Sequence, residues 1–175
     1  MKNFNIFDFT DKKNGLRAAN INLQGVYNKG GFQVATDAHV MAMVKADYNP
    51  NLEEKIADQS GEILDSIFPE YEKVIPKKAE LKKSCLTLQD FKNMARKTKA
   101  KSVIKVSDRK LKVSTIKKVI KFWSFFPDAK LFENKNPNNA LMVKSGENLM
   151  LFMPLFETAD ADFFYDEKSK ELTSL

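Results

Sequence analysis

The spacing of apolar residues constrains the fold of this chain more than any other feature of its sequence. Apolar residues recur at helical spacing in two stretches, which start near Thr87 and near Thr115. Elsewhere, apolar and polar residues alternate in short runs that Gly, Asn and Pro interrupt, as they do in antiparallel strands. Two amphipathic helices backed by antiparallel strands form an α+β layer arrangement, and we therefore predict this fold class.

The first half of the chain, about residues 1–67, is predicted to consist mainly of strands. Asn28–Gly31 predicts a hairpin turn, because its glycines tolerate the positive φ that such turns need. The polar stretch Asp47–Gly61 predicts a loop, or a short helix around Leu52–Ala57. Strands are predicted over residues 3–9, 16–27, 32–35, 40–44 and 62–67.

The second half, about residues 77–156, is predicted to contain both helices. Thr87 and Asp90 form a capping pattern for the first helix, and Thr115 is predicted to cap the second. The second helix is expected to end before Pro127, because proline cannot continue a helix. Strands are predicted over residues 103–106, 111–113, 129–132, 140–143 and 148–153.

Prolines and acidic residues indicate how the chain is divided. Residues 68–76 contain prolines at positions 69 and 76 and predict an extended connector between the halves, so that residues 1–156 form a single domain. Residues 157–175 contain six acidic residues and two lysines, and predict a loosely held, flexible tail.

Positive charge is concentrated in the second half. Residues 77–121 contain sixteen Lys and Arg and three acidic residues, whereas the net charge of the whole chain is +6. Such a block favours a polyanion as a partner, although lysines that only face solvent would give the same count. The basic residues predicted on the outer helix faces are Lys92, Arg96, Lys97, Lys99, Lys117, Lys118 and Lys121.

The sequence offers little support for catalysis or metal binding. His39 is the only histidine and Cys85 the only cysteine, and they lie in different predicted elements. The glycine pattern of a nucleotide-binding loop is absent. We therefore expect a protein with no enzymatic activity, cofactor or metal. The single cysteine and the lack of an apolar run as long as a membrane helix indicate a cytoplasmic protein.

Three short segments of the chain carry a family resemblance. Val34–Ala42 has the sequence Val-Ala-Thr-Asp-Ala-His-Val-Met-Ala and follows a Gly-Val-Tyr strand at residues 25–27. Phe68–Pro76 has the sequence Phe-Pro-Glu-Tyr-Glu-Lys-Val-Ile-Pro, and Leu151–Leu155 has the sequence Leu-Phe-Met-Pro-Leu. In this order they resemble the segments VATDGHRLA, FPDYxxVIP and VVMPM of bacterial sliding clamps, the β subunit of DNA polymerase III.

The resemblance implies a DNA-clamp-like fold of two βαβββ-type halves, with helices that line a central hole. In that family, helices present Lys and Arg to the phosphates of duplex DNA. Such binding is independent of base sequence and depends strongly on salt. The seven basic residues given above would then form the DNA-binding surface.

The resemblance also implies a pocket that captures short peptide motifs of polymerases and other replication factors. Methionine and leucine adapt to an apolar anchor, prolines form rigid walls, and a histidine offers a polar rim. The alternative is that these are core residues, with a structural role for the histidine. The matched motifs assign to this pocket Thr36, His39, Met41, Pro69, Val74, Met153, Pro154 and Leu155.

The chain departs from the family pattern in ways that affect its assembly. Ala38 and Val40 stand where the family has Gly and Arg, and Phe156 stands where another Arg would follow. Family members carry three clamp domains, whereas this chain has room for one, which indicates a miniature relative of the kind that phages or mobile elements carry. A closed ring of six domains would need about six copies, so a homo-oligomer is expected if the chain encircles DNA.

Two functions therefore stay open. The first is a sliding-clamp-like processivity factor, which associates with duplex DNA and tethers a replication factor. The second is a peptide-binding adaptor, or a decoy of a host clamp, which has the same fold and does not encircle DNA. Asp162–Asp166 loosely resembles the peptides that clamp pockets accept, so a tail that docks on its own chain or links subunits is a further hypothesis.

Overall fold

The computed structural model of the protein describes residues 4–11, 18–155 and 159–175. It confirms the predicted α+β class. Two α-helices are present in these ranges, α1 (Leu88–Arg96) and α2 (Val113–Phe125). The strands are β1 (Val26–Lys29), β2 (Phe32–Thr36), β3 (Val40–Lys45), β4 (Lys55–Ala57), β5 (Ile63–Leu64), β6 (Leu81–Lys83), β7 (Val103–Val106), β8 (Arg109–Lys112), β9 (Lys130–Asn134), β10 (Leu141–Ser145), β11 (Asn148–Phe152), β12 (Phe163–Tyr165) and β13 (Leu172–Ser174).

Nine strands form one antiparallel sheet in the order β5-β4-β1-β2-β3-β11-β10-β9-β6. β1 and β2 form the predicted hairpin, in which Tyr27 lies opposite Val34. The two halves of the chain meet near the centre of the sheet, where Met41 of β3 lies opposite Leu151 of β11. The residues that follow β11 are thereby placed beside the turn that precedes β3.

Alternation along the strands divides the side chains of this sheet between two faces. On one face, Ala42 of β3 belongs to the same buried cluster as Phe91 of α1 and Ile116 of α2. On the other face, the neighbouring Met41 packs in a second cluster with Phe68 of the connector. The helices and the connector therefore cover opposite sides of one sheet.

The two helices begin in different ways. The Thr87 hydroxyl accepts from the Asp90 N–H, and Asp90 Oδ2 accepts from the Thr87 N–H at 2.8 Å, which forms the predicted cap of α1. The predicted cap of α2 is wrong, because Thr115 is buried inside the helix. β8 continues directly into α2, and the Ser102 carbonyl accepts from the Val113 N–H at 2.9 Å, so a main-chain group replaces the side-chain cap.

The structure corrects the strands that were predicted near the N-terminus. Ile6–Phe9 and Ala18–Leu23 are 3₁₀ helices, whereas residues 1–3 and 12–17 lie outside the described ranges. The Phe9 ring packs edge-on against the Phe122 ring of α2, with centroids 6.3 Å apart. The apolar residues of this segment therefore pack against α2, and the segment does not form a strand of the sheet.

The polar stretch before the connector contains a strand that the sequence did not predict. β4 lies where a loop or a short helix was expected, and its Ile56 pairs with Tyr27 of β1 and is buried. Gly25, just before β1, approaches β4 so closely that an added Cβ would lie 2.5 Å from Ile56 Cγ2. This pairing widens the sheet beyond the predicted hairpin.

The C-terminal segment is not the loosely held tail that its composition predicts. Within residues 159–175, β12 pairs in parallel with β7 and β13 pairs with β12, in a second sheet of order β13-β12-β7-β8. Tyr165 is fully buried, and its hydroxyl donates to Asp90 Oδ1 at 2.7 Å. Composition did not indicate this docking, because it depends on a few apolar residues, including Phe163 and Leu172, among many acidic ones.

Candidate groove and basic helix face

A groove of about 400 Å³ lies on the face of the sheet that the connector covers. Most of its lining comes from three separate parts of the chain, the turn between β2 and β3, the connector, and the end of β11, and Leu23 and Ala140 add to it. The structure thus brings together the three segments singled out in the sequence. Six of the eight predicted pocket residues line the groove, namely Thr36, His39, Met41, Pro69, Val74 and Met153.

The turn between β2 and β3 forms one wall. Asp37 Oδ1 accepts hydrogen bonds from the N–H groups of His39 at 2.9 Å and Val40 at 2.8 Å. The Thr36 hydroxyl donates to the Val40 carbonyl at 2.7 Å. Between them, Ala38 has a left-handed φ of 71°, a conformation that glycine adopts with less strain. This is the position at which the clamp motif has glycine.

Aromatic packing holds the connector against the sheet. The rings of Tyr27 and Phe68 are stacked with centroids 5.0 Å apart, and the Tyr71 ring lies edge-on to Tyr27 at 6.1 Å. Burial raises the pKa of the Tyr71 hydroxyl above its usual value. With these rings fixed, Pro69 lines the groove and the Val74 side chain stays 57% exposed at its rim.

The end of β11 completes the groove. The Met153 N–H donates to the His39 carbonyl at 3.0 Å, and Met153 is 44% exposed. Two predicted residues are not part of this groove. Leu155 donates its N–H to the Lys110 carbonyl at 2.8 Å and lines a different cleft beside β8, and Pro154 lines neither.

Other residues of the groove were missed in the sequence, among them Tyr71 and Leu151. The signal for Leu151 was present, because period-two alternation places it on the same face of β11 as Leu149, away from the helices. The lining is mainly apolar, with exposed valine and methionine at the rim. Such a surface suits the apolar side chains of an extended peptide.

The structure places the seven predicted DNA-binding residues on or beside the two helices, which pack against each other. Lys92, Arg96, Lys97, Lys99 and Lys117 are exposed, and they form no ion pair within the described ranges. On α2, Lys118 pairs with Asp37 at 2.7 Å and Lys121 pairs with Asp8. Of the seven, the cations without an ion pair in these ranges therefore lie on α1, in the residues that follow it, and at Lys117 of α2.

Two further observations concern metal sites and membrane helices. Among the residues that the structure describes, no group of three or more His, Cys, Asp or Glu side chains could hold a metal ion. In the same ranges, neither helix is long and apolar enough to cross a membrane.

Comparison with known proteins shows the fold. No protein-family model and no curated protein matches the sequence. The chain is similar in structure to DNA polymerase III subunit beta from Borrelia burgdorferi, solved with a natural product, with a TM-score of 0.60 and 16% identity over 87% of this chain. It is also similar to the subunit from Pseudomonas aeruginosa, with a TM-score of 0.59 and 13% identity over 85% of this chain.

A third similar structure is the beta sliding clamp of C. crescentus, with a TM-score of 0.57 and 14% identity over 86% of this chain. That crystal contains a polyethylene glycol in the region proposed to tether the beta-motif. The matches cover 60%, 61% and 62% of those three clamps, so the chain spans about three fifths of their length. The chain therefore has a sliding-clamp-like fold.

Proposed function

We propose that this chain is a non-enzymatic, clamp-like protein that associates with duplex DNA through its helix face and holds a peptide of a replication factor in its groove. The observation that carries the proposal is the placement of a basic helix face and an apolar groove on opposite sides of one sheet. One molecule could then contact a polyanion and a protein partner at once, as a tether must.

The charge of the helix face supports duplex DNA as the polyanion. Five exposed cations without ion-pair partners in the described ranges lie on or beside two packed helices. Lysines on such a face reach backbone phosphates and not the edges of bases, so the binding does not depend on sequence. We expect weak, salt-sensitive binding that tethering to a partner strengthens.

The DNA part of the proposal is tested by reversing charge on the helix face. Replacing Lys92, Arg96 and Lys117 together by Glu should weaken binding of a labelled duplex at least about tenfold, measured by fluorescence anisotropy at low salt. The matched control also reverses three charges, at the exposed Lys130, Lys135 and Lys144 on or next to the strands, and should change affinity much less. Equal losses in both variants would contradict a specific DNA face.

The groove part is tested by selecting peptides. A random heptapeptide library displayed on phage, panned on the immobilised protein, should yield sequences with two or more apolar residues close together. These peptides should lose at least about tenfold in affinity on the double variant V74D/M153D, because both side chains form the apolar rim. Peptides that bind the variant equally well would show that they occupy another surface.

A second candidate function is a peptide-binding adaptor that does not engage DNA. The ion pairs of Lys118 and Lys121 favour it, because carboxylates already neutralise two of the three cations on α2. An adaptor would select groove peptides as above but show no duplex binding at low salt.

A further inference from the structure

One ion pair connects the basic helix face with the groove turn. Lys118 Nζ of α2 lies 2.7 Å from Asp37 Oδ2, and both side chains are partly buried, with 27% and 21% exposed. Thr36, the last residue of β2, lines the groove, whereas the side chain of Asp37, the next residue, reaches α2. The turn between β2 and β3 therefore has contacts on both sides of the sheet.

The two oxygens of the Asp37 carboxylate hold different parts of the molecule. Oδ1 accepts the N–H groups of His39 and Val40 and so fixes the groove turn. Oδ2 accepts from the ammonium of Lys118. A side chain held at both oxygens has little freedom, so the positions of Lys118 and of the turn depend on each other. The strained backbone of Ala38 makes the turn sensitive to loss of this support.

We infer that Asp37 is a positioning residue that couples occupancy of the helix face to the shape of the groove. The inference rests on the proposed function. A duplex phosphate that attracts the Lys118 ammonium removes the partner of Oδ2 and loosens the groove turn. Duplex DNA and groove peptide then weaken each other's binding by the same factor, as linkage requires. Because the ion pair is partly exposed, the factor is a few-fold, about two to ten.

The test monitors NMR signals of the groove residues while duplex DNA is added to the protein. Protein labelled with 15N, and with 13C in its methionine methyl groups, is titrated with a duplex of about 20 base pairs, a length that covers the face. In the wild type, the amides of Ala38, His39 and Val40 and the methyls of Met41 and Met153 should shift during the titration. Compared at saturating duplex, these shifts should fall by more than about half in K118Q, whereas K144Q, which changes an exposed strand lysine away from the helix face, should keep them.

A conservative variant separates coupling from folding. D37N keeps an oxygen that can accept the two turn N–H groups but removes the charge that binds Lys118. Because the Lys118 contact is lost, its affinity for a selected groove peptide without DNA should fall about two- to tenfold, to the value of the DNA-bound wild type. The loss of peptide affinity that duplex causes in the wild type should be absent in D37N. Coupling that persists unchanged in both D37N and K118Q would overturn the inference.

Failure of the proposed function has a different signature. If the wild type binds no duplex, the anisotropy of the labelled duplex does not change when protein is added. The proposed DNA binding is then contradicted, whatever the role of Asp37. The positioning role is then judged without DNA: hydrogen exchange at His39 and Val40 should be several-fold faster in K118Q than in K117Q. Equal exchange rates in the two variants would overturn the role of Asp37 in that case too.

Discussion

Among single residues, the buried hydrogen bond between Tyr165 and Asp90 has the clearest consequence for stability. Burial opposes ionisation of Asp90, but hydrogen bonds from Tyr165 and Thr87 outweigh it and lower the pKa of the carboxyl. Burial and the bond to Asp90 raise the pKa of Tyr165 to about 12. The protein is therefore stabilised by a carboxylate that stays charged and a phenol that stays neutral.

Replacing Tyr165 by Phe tests this contact. The substitution should lower the free energy of unfolding by about 1–2 kcal/mol at neutral pH, since it removes one charge-assisted hydrogen bond. Tyrosine in the unfolded chain loses its proton near pH 10, whereas folded Tyr165 keeps it until about pH 12. Wild-type stability should therefore fall across this range, and less steeply in the variant.

Urea unfolding between about pH 7 and 11 provides the measurement, with the exposed Tyr48, replaced by Phe, as the control. Tyr48→Phe should change stability by less than about 0.5 kcal/mol at every pH. If Tyr165→Phe and Tyr48→Phe give the same pH profile, the buried bond does not contribute as described.

Ala38 is a second residue whose contribution to stability can be tested, because its backbone is strained. Its left-handed backbone strains a residue that has a Cβ, so Ala38→Gly should be neutral or stabilising, by up to about 1 kcal/mol. Thermal unfolding measures the change, and Ala95→Gly in α1 serves as the control, which should lose about 0.5–1 kcal/mol. Destabilisation by Ala38→Gly equal to that of the control would contradict the strain.

Among the secondary-structure elements, the C-terminal hairpin of β12 and β13 differs most from what the sequence predicts, which is a flexible tail. Both helices could be predicted because amphipathic spacing is local and strong. β12 could not, because its three residues depend on β7, some sixty positions earlier in the chain, for their hydrogen bonds. The N-terminal 3₁₀ helices were missed because their apolar spacing also fits a strand.

Deleting residues 159–175 tests the docking of this element. The deletion should lower the free energy of unfolding by several kcal/mol, because it uncovers the edge of β7 and removes Tyr165 from the core. Differential scanning calorimetry measures the change. A milder variant, Phe163→Ser, should lose part of the same stability, and an unchanged melting temperature in both would restore the expectation of a loosely held tail.

At the scale of the whole molecule, periodicity predicted the layers and the family resemblance predicted the groove. No local pattern could place Thr36, Pro69 and Met153 side by side, since that depends on β3 pairing with β11 across more than one hundred residues. The resemblance also assigned Leu155 to the groove, but the chain turns away after Met153 and pairs with Lys110. The predicted lysines of α2 lie on that helix, but the sequence could not show that Lys118 and Lys121 pair with Asp37 and Asp8, which are far away along the chain.

If the helix face binds the backbone of duplex DNA, as we propose, the affinity falls steeply as salt is added, whatever the base sequence. Affinity for two unrelated duplexes is measured by anisotropy from about 20 to 200 mM salt. We expect equal affinities and a log–log slope of about −2.7 to −4.5, from about 0.9 for each of three to five phosphates that the five exposed cations contact. No binding at the lowest salt, or a preference for one duplex with a flat salt dependence, would contradict it.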